Sequence, residues 1–457
     1  MGPLGSQDNP LRVAVIGSGP SGFYAAEALL KSARGVRVDM LERLPSPYGL
    51  VRSGVAPDHP KLKQAILVYD KIARAPEFTY IGNVAVGKDI SVGELCEHYH
   101  ALLFTCGAES DRRLGVPGED LQGSYTATEF VGWYNGHPDY RDRAFDLSHE
   151  VAVIIGQGNV AADVARILAK GVDELKHTDI AQHALDELAQ SRVREIHVIG
   201  RRGPAQAKFT NRELREFGEL KDCDASIDAR ELVLNPESQQ ELEDKNNVVG
   251  AKNLEIFKSF TAPPGGKRRC CVLRFLQSPV RLLGEGRLER LVLERNRLQG
   301  AAFGQSARGT GETSEQACGI LFRSIGYRGV AMPGVPFDEK NGVMPNLAGR
   351  VIDPEATPVP GLYCAGWIKR GPTGIIGTNR ADSVATVESL LADLPRLDRP
   401  DRRGADAVLP LLAGRGVQVV DFTGWLRIDA TEVERGKPKG KPREKITRVA
   451  EMLAVAT

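Results

Sequence analysis

Arg12-Val13-Ala14-Val15-Ile16-Gly17-Ser18-Gly19-Pro20-Ser21-Gly22 decides the fold. An apolar, β-branched run turns on glycines and feeds Phe23-Tyr24-Ala25-Ala26-Glu27-Ala28-Leu29-Leu30, a good helix former with an apolar face. A strand that ends in such a turn at a helix N-terminus offers unpaired N–H groups and the positive end of the helix dipole to a pyrophosphate. Pro20 falls near the first helical turn, where its missing N–H costs nothing. Val36-Arg37-Val38-Asp39-Met40-Leu41-Glu42 then reads as a second strand, ending in an acid at about the distance where a ribose hydroxyl would be held. That role for Glu42 is favoured over a solvated strand-end carboxylate.

A lone glycine fingerprint is weak, but this one recurs. Val151-Ala152-Val153-Ile154-Ile155 leads into Gly156-Gln157-Gly158-Asn159-Val160-Ala161, and residues 160–169 read as its helix. The next strand, Val193-Arg194-Glu195-Ile196-His197-Val198-Ile199-Gly200, runs into Arg201-Arg202, so the end that is acidic in the first unit is doubly cationic in the second. A guanidinium pair suits a 2′-phosphate, which a carboxylate would repel. FAD is therefore expected on the first turn and NADP(H) on the second, the arrangement needed to pass a hydride between a nicotinamide and a flavin.

Lys and Arg number 60 against 59 Asp and Glu in 457 residues, a net charge of +1 that argues against nucleic acid or an anionic membrane as a general partner. The chain has no apolar run long enough to span a bilayer and no signal-peptide pattern, so a cytoplasmic protein is expected. Met1-Gly2-Pro3-Leu4-Gly5-Ser6 resembles the remnant of a cleaved expression tag. Cys96, Cys106, Cys223, Cys270, Cys271, Cys318 and Cys364 form no Cys-x-x-Cys, which suits a reducing compartment and disfavours both a redox disulfide and an iron–sulfur centre within the chain. No metal site is expected.

Tyr99-His100-Ala101-Leu102-Leu103-Phe104-Thr105-Cys106-Gly107-Ala108 reads as a buried strand with a small-residue end, and Gly115-Val116-Pro117-Gly118-Glu119-Asp120 as a crossing loop. The chain crosses back near Gly326-Tyr327-Arg328-Gly329. Gly361-Leu362-Tyr363-Cys364-Ala365-Gly366-Trp367 has the form of a strand whose end faces a cofactor, before a helix over about 381–391. The expected fold is α/β with two Rossmann-like dinucleotide-binding domains, one inserted in the other: an FAD domain from 7–114 and 330–457, and an NADP(H) domain from 115–329. Residues 300–313 read as surface turns, 395–403 as a solvated linker, and Lys437-Pro438-Lys439-Gly440-Lys441-Pro442-Arg443 as an exposed loop.

Leu50-Val51-Arg52-Ser53-Gly54-Val55-Ala56-Pro57-Asp58-His59-Pro60, Gly200-Arg201-Arg202-Gly203-Pro204, Glu213-Leu214-Arg215-Glu216 and Ala365-Gly366-Trp367-Ile368-Lys369-Arg370-Gly371-Pro372-Thr373-Gly374 resemble the adrenodoxin reductase-type ferredoxin–NADP(+) reductases, in their bacterial FprA-like branch. The likeness spans nearly the whole chain, including Gly424-Trp425. It implies a glutathione reductase-like two-domain flavoprotein with FAD at Gly17, Gly19, Ser21, Gly22, Glu42, Leu50 and Val86, its ring held by Trp367 and the backbone of Gly374, Ile375 and Ile376. It implies NADP(H) along Arg112, Gln157, Gly158, Asn159, Val160, Arg201, Arg202 and Glu213. Gly374, lacking a side chain, would let the two rings approach. His59 and Glu213 are implied near the nicotinamide side of the flavin, where they could relay a proton or hold the carboxamide, with Asp58 orienting or solvated.

The expected activity is that of an FAD-dependent NADPH:ferredoxin oxidoreductase serving a small, acidic iron–sulfur ferredoxin, with Arg212, Arg215, Lys267, Arg268, Arg269, Lys369 and Arg370 as candidate docking cations. Two rivals are a reductase subunit of the glutamate-synthase type, which would carry cysteine clusters ahead of the first turn, and a non-catalytic NADP(H)-sensing flavoprotein.

Overall fold

In the computed structural model the described residues are 2–32, 34–397 and 401–457. The chain forms two compact units, one of residues 1–110, 135–138 and 327–457, the other of 111–134 and 139–326.

The first unit is built on a seven-stranded sheet in the order Asn346–Leu347, Arg350–Ile352, Pro358–Cys364, Ala101–Phe104, Leu11–Ile16, Val36–Glu42, Phe78–Gly82. The last five run parallel, and the first two form an antiparallel edge. Buried on both faces, the parallel strands are almost wholly apolar, as Leu11, Val13, Ala14 and Val15 at 0% exposure illustrate. The register pairs Ile16 with both Leu41 and Phe104, and Phe104 with Cys364, so the loops after these strands leave one edge of the sheet. Leu11–Ile16 lies between Ala101–Phe104, which precedes the insertion, on one side and Val36–Glu42, reached through the helix Pro20–Leu30, on the other. Such a switch point is where open α/β sheets bind ligands. The strand Pro358–Cys364, from beyond the second unit, completes the sheet beside Ala101–Phe104.

The second unit has a six-stranded parallel sheet in the order Ser124–Thr126, Ile320–Arg323, Val151–Ile155, Glu195–Ile199, Arg269–Arg274, Cys223–Ser226. Phe130, Phe145 and Phe322 interlock in its core, with ring centroids 4.6 and 5.1 Å from Phe130. A three-stranded antiparallel sheet, Gln277–Leu283, Arg290–Gln299 and Ser306–Ala317, is appended.

Several expectations need correction. Much of 300–313 is strand, not turn: Ser306–Ala317 pairs with Arg290–Gln299, and pairing overrides a Gly/Ser/Thr-rich sequence of low apolar content. The lysine-rich stretch is not a free loop, because Lys441 is 6% exposed and bonded to Glu444, while Arg443 pairs with Asp429 and Glu432. Within 395–403, residues 398–400 lie outside the described set, and Leu397 is buried at the end of the helix Leu394–Leu397. Leu4, in the tag-like start, is also buried in the first unit's core.

Two candidate nucleotide sites

The first turn is shaped by its own backbone. Gly17 has φ +105°, and a Cβ there would lie 2.8 Å from Thr105 O and 2.9 Å from Cys106 Cα. A Cβ at Gly22 would lie 2.2 Å from Gly17 O, so the helix Pro20–Leu30 starts hard against the turn. Thr105 Oγ1 fastens the turn, donating to Ile16 O at 3.0 Å and Gly17 O at 2.8 Å. Gly19 differs: a Cβ there would meet nothing within 4 Å, and as N-cap it provides no side-chain cap for the helix. The turn is thus closed on the protein side and open at one glycine at a helix N-terminus, which fits a pyrophosphate.

Glu42 closes the second strand. Its Oε2 accepts from Ser18 N at 3.0 Å and Ser18 Oγ at 2.6 Å, and its Oε1 from Leu44 N at 3.1 Å. The carboxylate is thereby fixed over the turn. Val84 N donates to Glu42 O at 2.9 Å, which brings the loop carrying half-buried Val86 along the same edge. Leu50 begins the short helix Leu50–Ser53 just after Gly49, where a Cβ would be 3.0 Å from Gly19 Cα.

The C-terminal part of the unit reaches the same turn. A Cβ at Gly366 would lie 2.1 Å from Ser21 Oγ, and Ser383 Oγ donates to Ser21 O at 3.0 Å. Trp367 follows on the helix Trp367–Arg370, its ring stacked on Tyr327 at 5.4 Å and its Nε1 donating to Thr373 O. Gly374 and Ile375 are exposed, Ile375 to 65%. Gly374 is glycine for a reason other than ring access alone, since its φ is +87° and a Cβ would lie 2.9 Å from the Thr378 side chain. Cys106 borders the first turn, but burial pushes its thiol up to about 12, and all seven cysteines are free. His59 is buried and Asp58 half-buried, both in this unit.

The second turn repeats the plan in the second unit. Gly156 has φ +142°, and a Cβ would lie 2.1 Å from Ser324 O, just past the end of the neighbouring strand Ile320–Arg323; Gly158 is open, with nothing within 4 Å. Gln157 Nε2 donates to Arg274 O at 2.8 Å, and Asn159 Oδ1 accepts from Thr210 N at 2.8 Å, tying residues 208–211 to the turn. The helix Asn211–Glu216 then carries Glu213, 8% exposed, whose Oε2 is buried without a hydrogen-bond partner, as is Thr210 Oγ1. Such orphaned acceptors fit a donor-bearing ligand. Arg112 is exposed, with its N–H on Gly326 O.

Arg201 is exposed and Arg202 half-buried at the end of Glu195–Ile199. Burial, with the adjacent Arg201 charge, pulls the Arg202 guanidinium below its ordinary value, so a nearby anion would relieve both costs. The register refines the sequence reading. Gly17 N donates to Leu41 O and Gly156 N to Ile199 O, so Gly200, not an arginine, stands where Glu42 stands, and the arginines follow it. Arg202 also lines a cavity of about 280 Å³ with Lys208, Thr210 and Glu241. Buried Glu241 accepts there from Gln206, Gln305 and Phe303 N.

Every residue expected at FAD thus lies in the first unit, and every one expected at NADP(H) in the second. Among the described residues no cluster could hold a metal, and no helix is long and apolar enough to cross a membrane. Sequence reasoning missed Thr105, Tyr48 and Asp382, the last of which accepts from Gly366 N at 2.5 Å and pairs with Lys369 at 2.9 Å. No local spacing marks any of them.

Residues 15–75, which contain the first turn and Glu42, match the family described as NAD(P)-binding Rossmann-like domain. Over 97% of its length the chain is 44% identical to the NADPH-ferredoxin reductase FprA of Mycobacterium leprae (strain TN), covering 98% of that protein. The chain belongs to the NADPH–ferredoxin reductase family. The family extends to the mitochondrial NADPH:adrenodoxin oxidoreductase of Salvelinus fontinalis, 45% identical over 97% of this chain and 91% of that one. Mycobacterium tuberculosis FprA in complex with NADPH has the same fold, with a TM-score of 0.92 at 44% identity, covering 98% of this chain and all of that one.

Proposed function

We propose that this ferredoxin reductase carries FAD on the first turn and NADP(H) on the second, and passes electrons from NADPH to a small iron–sulfur ferredoxin. The observation that carries the assignment is the charge at the two second-strand ends: a fixed carboxylate over the first turn, and two guanidiniums, one desolvated, beside the second. The flavin, when bound, supplies the conversion of a hydride into single electrons.

The chain's own residues bind and orient. The N–H groups around Gly19 and Gly158 take the pyrophosphates, and Glu42 stands ready for a ribose hydroxyl. Arg201 and Arg202 clasp the 2′-phosphate. Trp367 and the backbone of Gly374, Ile375 and Ile376 border the flavin ring, His59 with Asp58 serves its nicotinamide side, and Glu213 offers its orphaned oxygen to the carboxamide. Hydride transfer needs this positioning more than proton movement.

Among the docking cations, Lys369 and Arg370 are engaged with Asp382, Arg269 is 5% exposed and donates to Val193 O and Ala169 O, and Lys267 donates to Leu220 O. Arg212, Arg215 and Arg268 are exposed and carry the proposed steering of an acidic ferredoxin. Cytochrome reduction through ferredoxin should therefore slow as ionic strength rises, and salt-independent rates would remove the steering role. Seven free thiols support a reducing compartment, which we take to be the cytoplasm; the adrenodoxin oxidoreductase relatives are mitochondrial, and cell fractionation decides.

Anaerobic mixing of the purified yellow protein with NADPH should bleach the flavin, and added ferredoxin should restore it over many turnovers. A colourless protein that takes up no FAD ends the assignment. Bleaching without turnover would leave the NADP(H)-sensing reading.

A further inference from the structure

Trp425 and Glu432 lie on the helix Phe422–Gly436, far in sequence from the first turn, and both reach it through one strap of chain. Glu432, 0% exposed, takes Arg52 in a two-pronged pair, Nη1 to Oε2 at 2.9 Å and Nη2 to Oε1 at 2.5 Å. Burial alone would raise the Glu432 carboxyl, but Arg52, Arg443 and Ile446 N–H more than offset it and hold it below the usual carboxylate range. The Arg52 guanidinium also lies 5.0 Å from the centre of the Trp425 ring, and Trp425 Nε1 donates to Tyr48 OH at 3.2 Å. Tyr48 is held at φ +84°, a conformation that a bulky residue adopts only when its surroundings impose it. Its N–H donates to Ser18 O at 3.1 Å, and the next residue, Gly49, packs on Gly19.

We infer that the Arg52–Glu432 pair and Trp425 are positioning residues of the flavin site. They act through the strap 48–52, which they press onto Ser18 and Gly19, the part of the turn left open for the pyrophosphate. The helix Phe422–Gly436 thereby sets how tightly FAD is held. The inference rests on the proposed placement of FAD at the first turn.

The test dilutes holoenzyme to nanomolar concentration and reads released FAD by its fluorescence. Trp425→Phe keeps an aromatic face for Arg52 but loses the bond to Tyr48, and should raise the FAD dissociation constant about threefold to tenfold. Glu432→Gln, which leaves Arg52 underpaired in a buried place, should raise it by more than about tenfold. Asp393→Asn is the control, since it breaks a pair with Arg350 in the same unit, at the other end of the sheet, and should lower the unfolding midpoint with the FAD constant unchanged. The apparent constant for NADPH should be unaltered in all three. Wild-type FAD affinity in Trp425→Phe, or an equal rise in the Asp393→Asn control, overturns the inference. Wild-type protein that binds no FAD overturns the underlying assignment instead.

Discussion

The two glycine turns share a frame and differ in what closes them. In both, the first glycine donates to the second strand and packs against the backbone across the switch point, Thr105 and Cys106 in one unit and Ser324 in the other. In both, the second glycine is open. Beyond that they diverge. Glu42 reaches back to Ser18 in the first, whereas in the second the matching position is Gly200, and a Cβ there would lie 2.0 Å from Gln157 Oε1. The first turn is further covered by the strap 48–52 and by Gly366. These additions suit a nucleotide that stays; the second turn, flanked by one exposed and one half-buried arginine, suits one that is exchanged at each turnover.

The third position of the fingerprint gives the largest contrast. Gly22→Ala would place a Cβ 2.2 Å from Gly17 O, and since the Cβ is fixed by its backbone and the oxygen is itself backbone, neither can swing aside. Overpacking of this kind costs about 3 kcal/mol, which as lost affinity is ~100-fold. The purified variant should be pale, with NADPH binding to the second unit retained by calorimetry. A variant as yellow as the wild type would break the claim that the helix start shapes the flavin turn.

Removing the arginines should have the next largest effect. Each charged hydrogen bond proposed between these arginines and the 2′-phosphate is worth about 1.5–3 kcal/mol. Arg201→Ala and Arg202→Ala should each raise the apparent NADPH constant about tenfold to a hundredfold and scarcely move that for NADH. Arg202→Ala should lose more, because Arg202 is the less solvated of the two. Equal losses for both nucleotides would show that the pair only supports the fold.

How much of this could be read from the chain depended on range. Val13 to Gly22 and Val151 to Ala161 carry their fold locally, through β-branched runs, glycines with positive φ and an immediate helix. The insertion was legible too, because Gly361 to Trp367 has strand and turn signals of its own. What closes the sites was not. Glu432 sits in an ordinary charged helix, and nothing near it in sequence says that its partner is Arg52. The extended conformation of residues 306–317 is likewise imposed by the neighbouring strand. The register from Glu42 to Gly200 rests on the observed hydrogen bonds, because counting along the strand alone aligns the acid with the arginines.

Acid separates the two sites by a smaller margin. Glu432 has a depressed value in the folded chain, so its contribution is fully present above the ordinary carboxylate range and is lost only as pH falls through that lower value. At the second turn the titrating group is the ligand's, since a phosphate monoester loses its second charge near pH ~6. Between about pH 7.5 and 5.5 the preference for NADPH over NADH should therefore fall severalfold with flavin retention unchanged, and release of flavin should begin only below about pH 4. Flavin loss that tracks the fall in NADPH preference would argue that the strap does not govern it.

The smallest expected effect completes the contrast at the third position. Ala161 takes the place of Gly22 in the second turn and is 0% exposed on the helix Asn159–Ala169, so that helix start has room for a methyl where the first has none. Ala161→Gly should cost about 1 kcal/mol of stability, the usual penalty for glycine in a helix. The NADPH constant should stay within about twofold, because the methyl is buried in the second unit's core, whereas the phosphates are proposed to lie at the open Gly158. A tenfold loss of NADPH affinity in a variant that unfolds almost normally would mean that the helix start shapes the second turn as closely as the first. The two sites would then differ in the charge at their strand ends, in the strap and in the cover from Gly366, and not in the helix start.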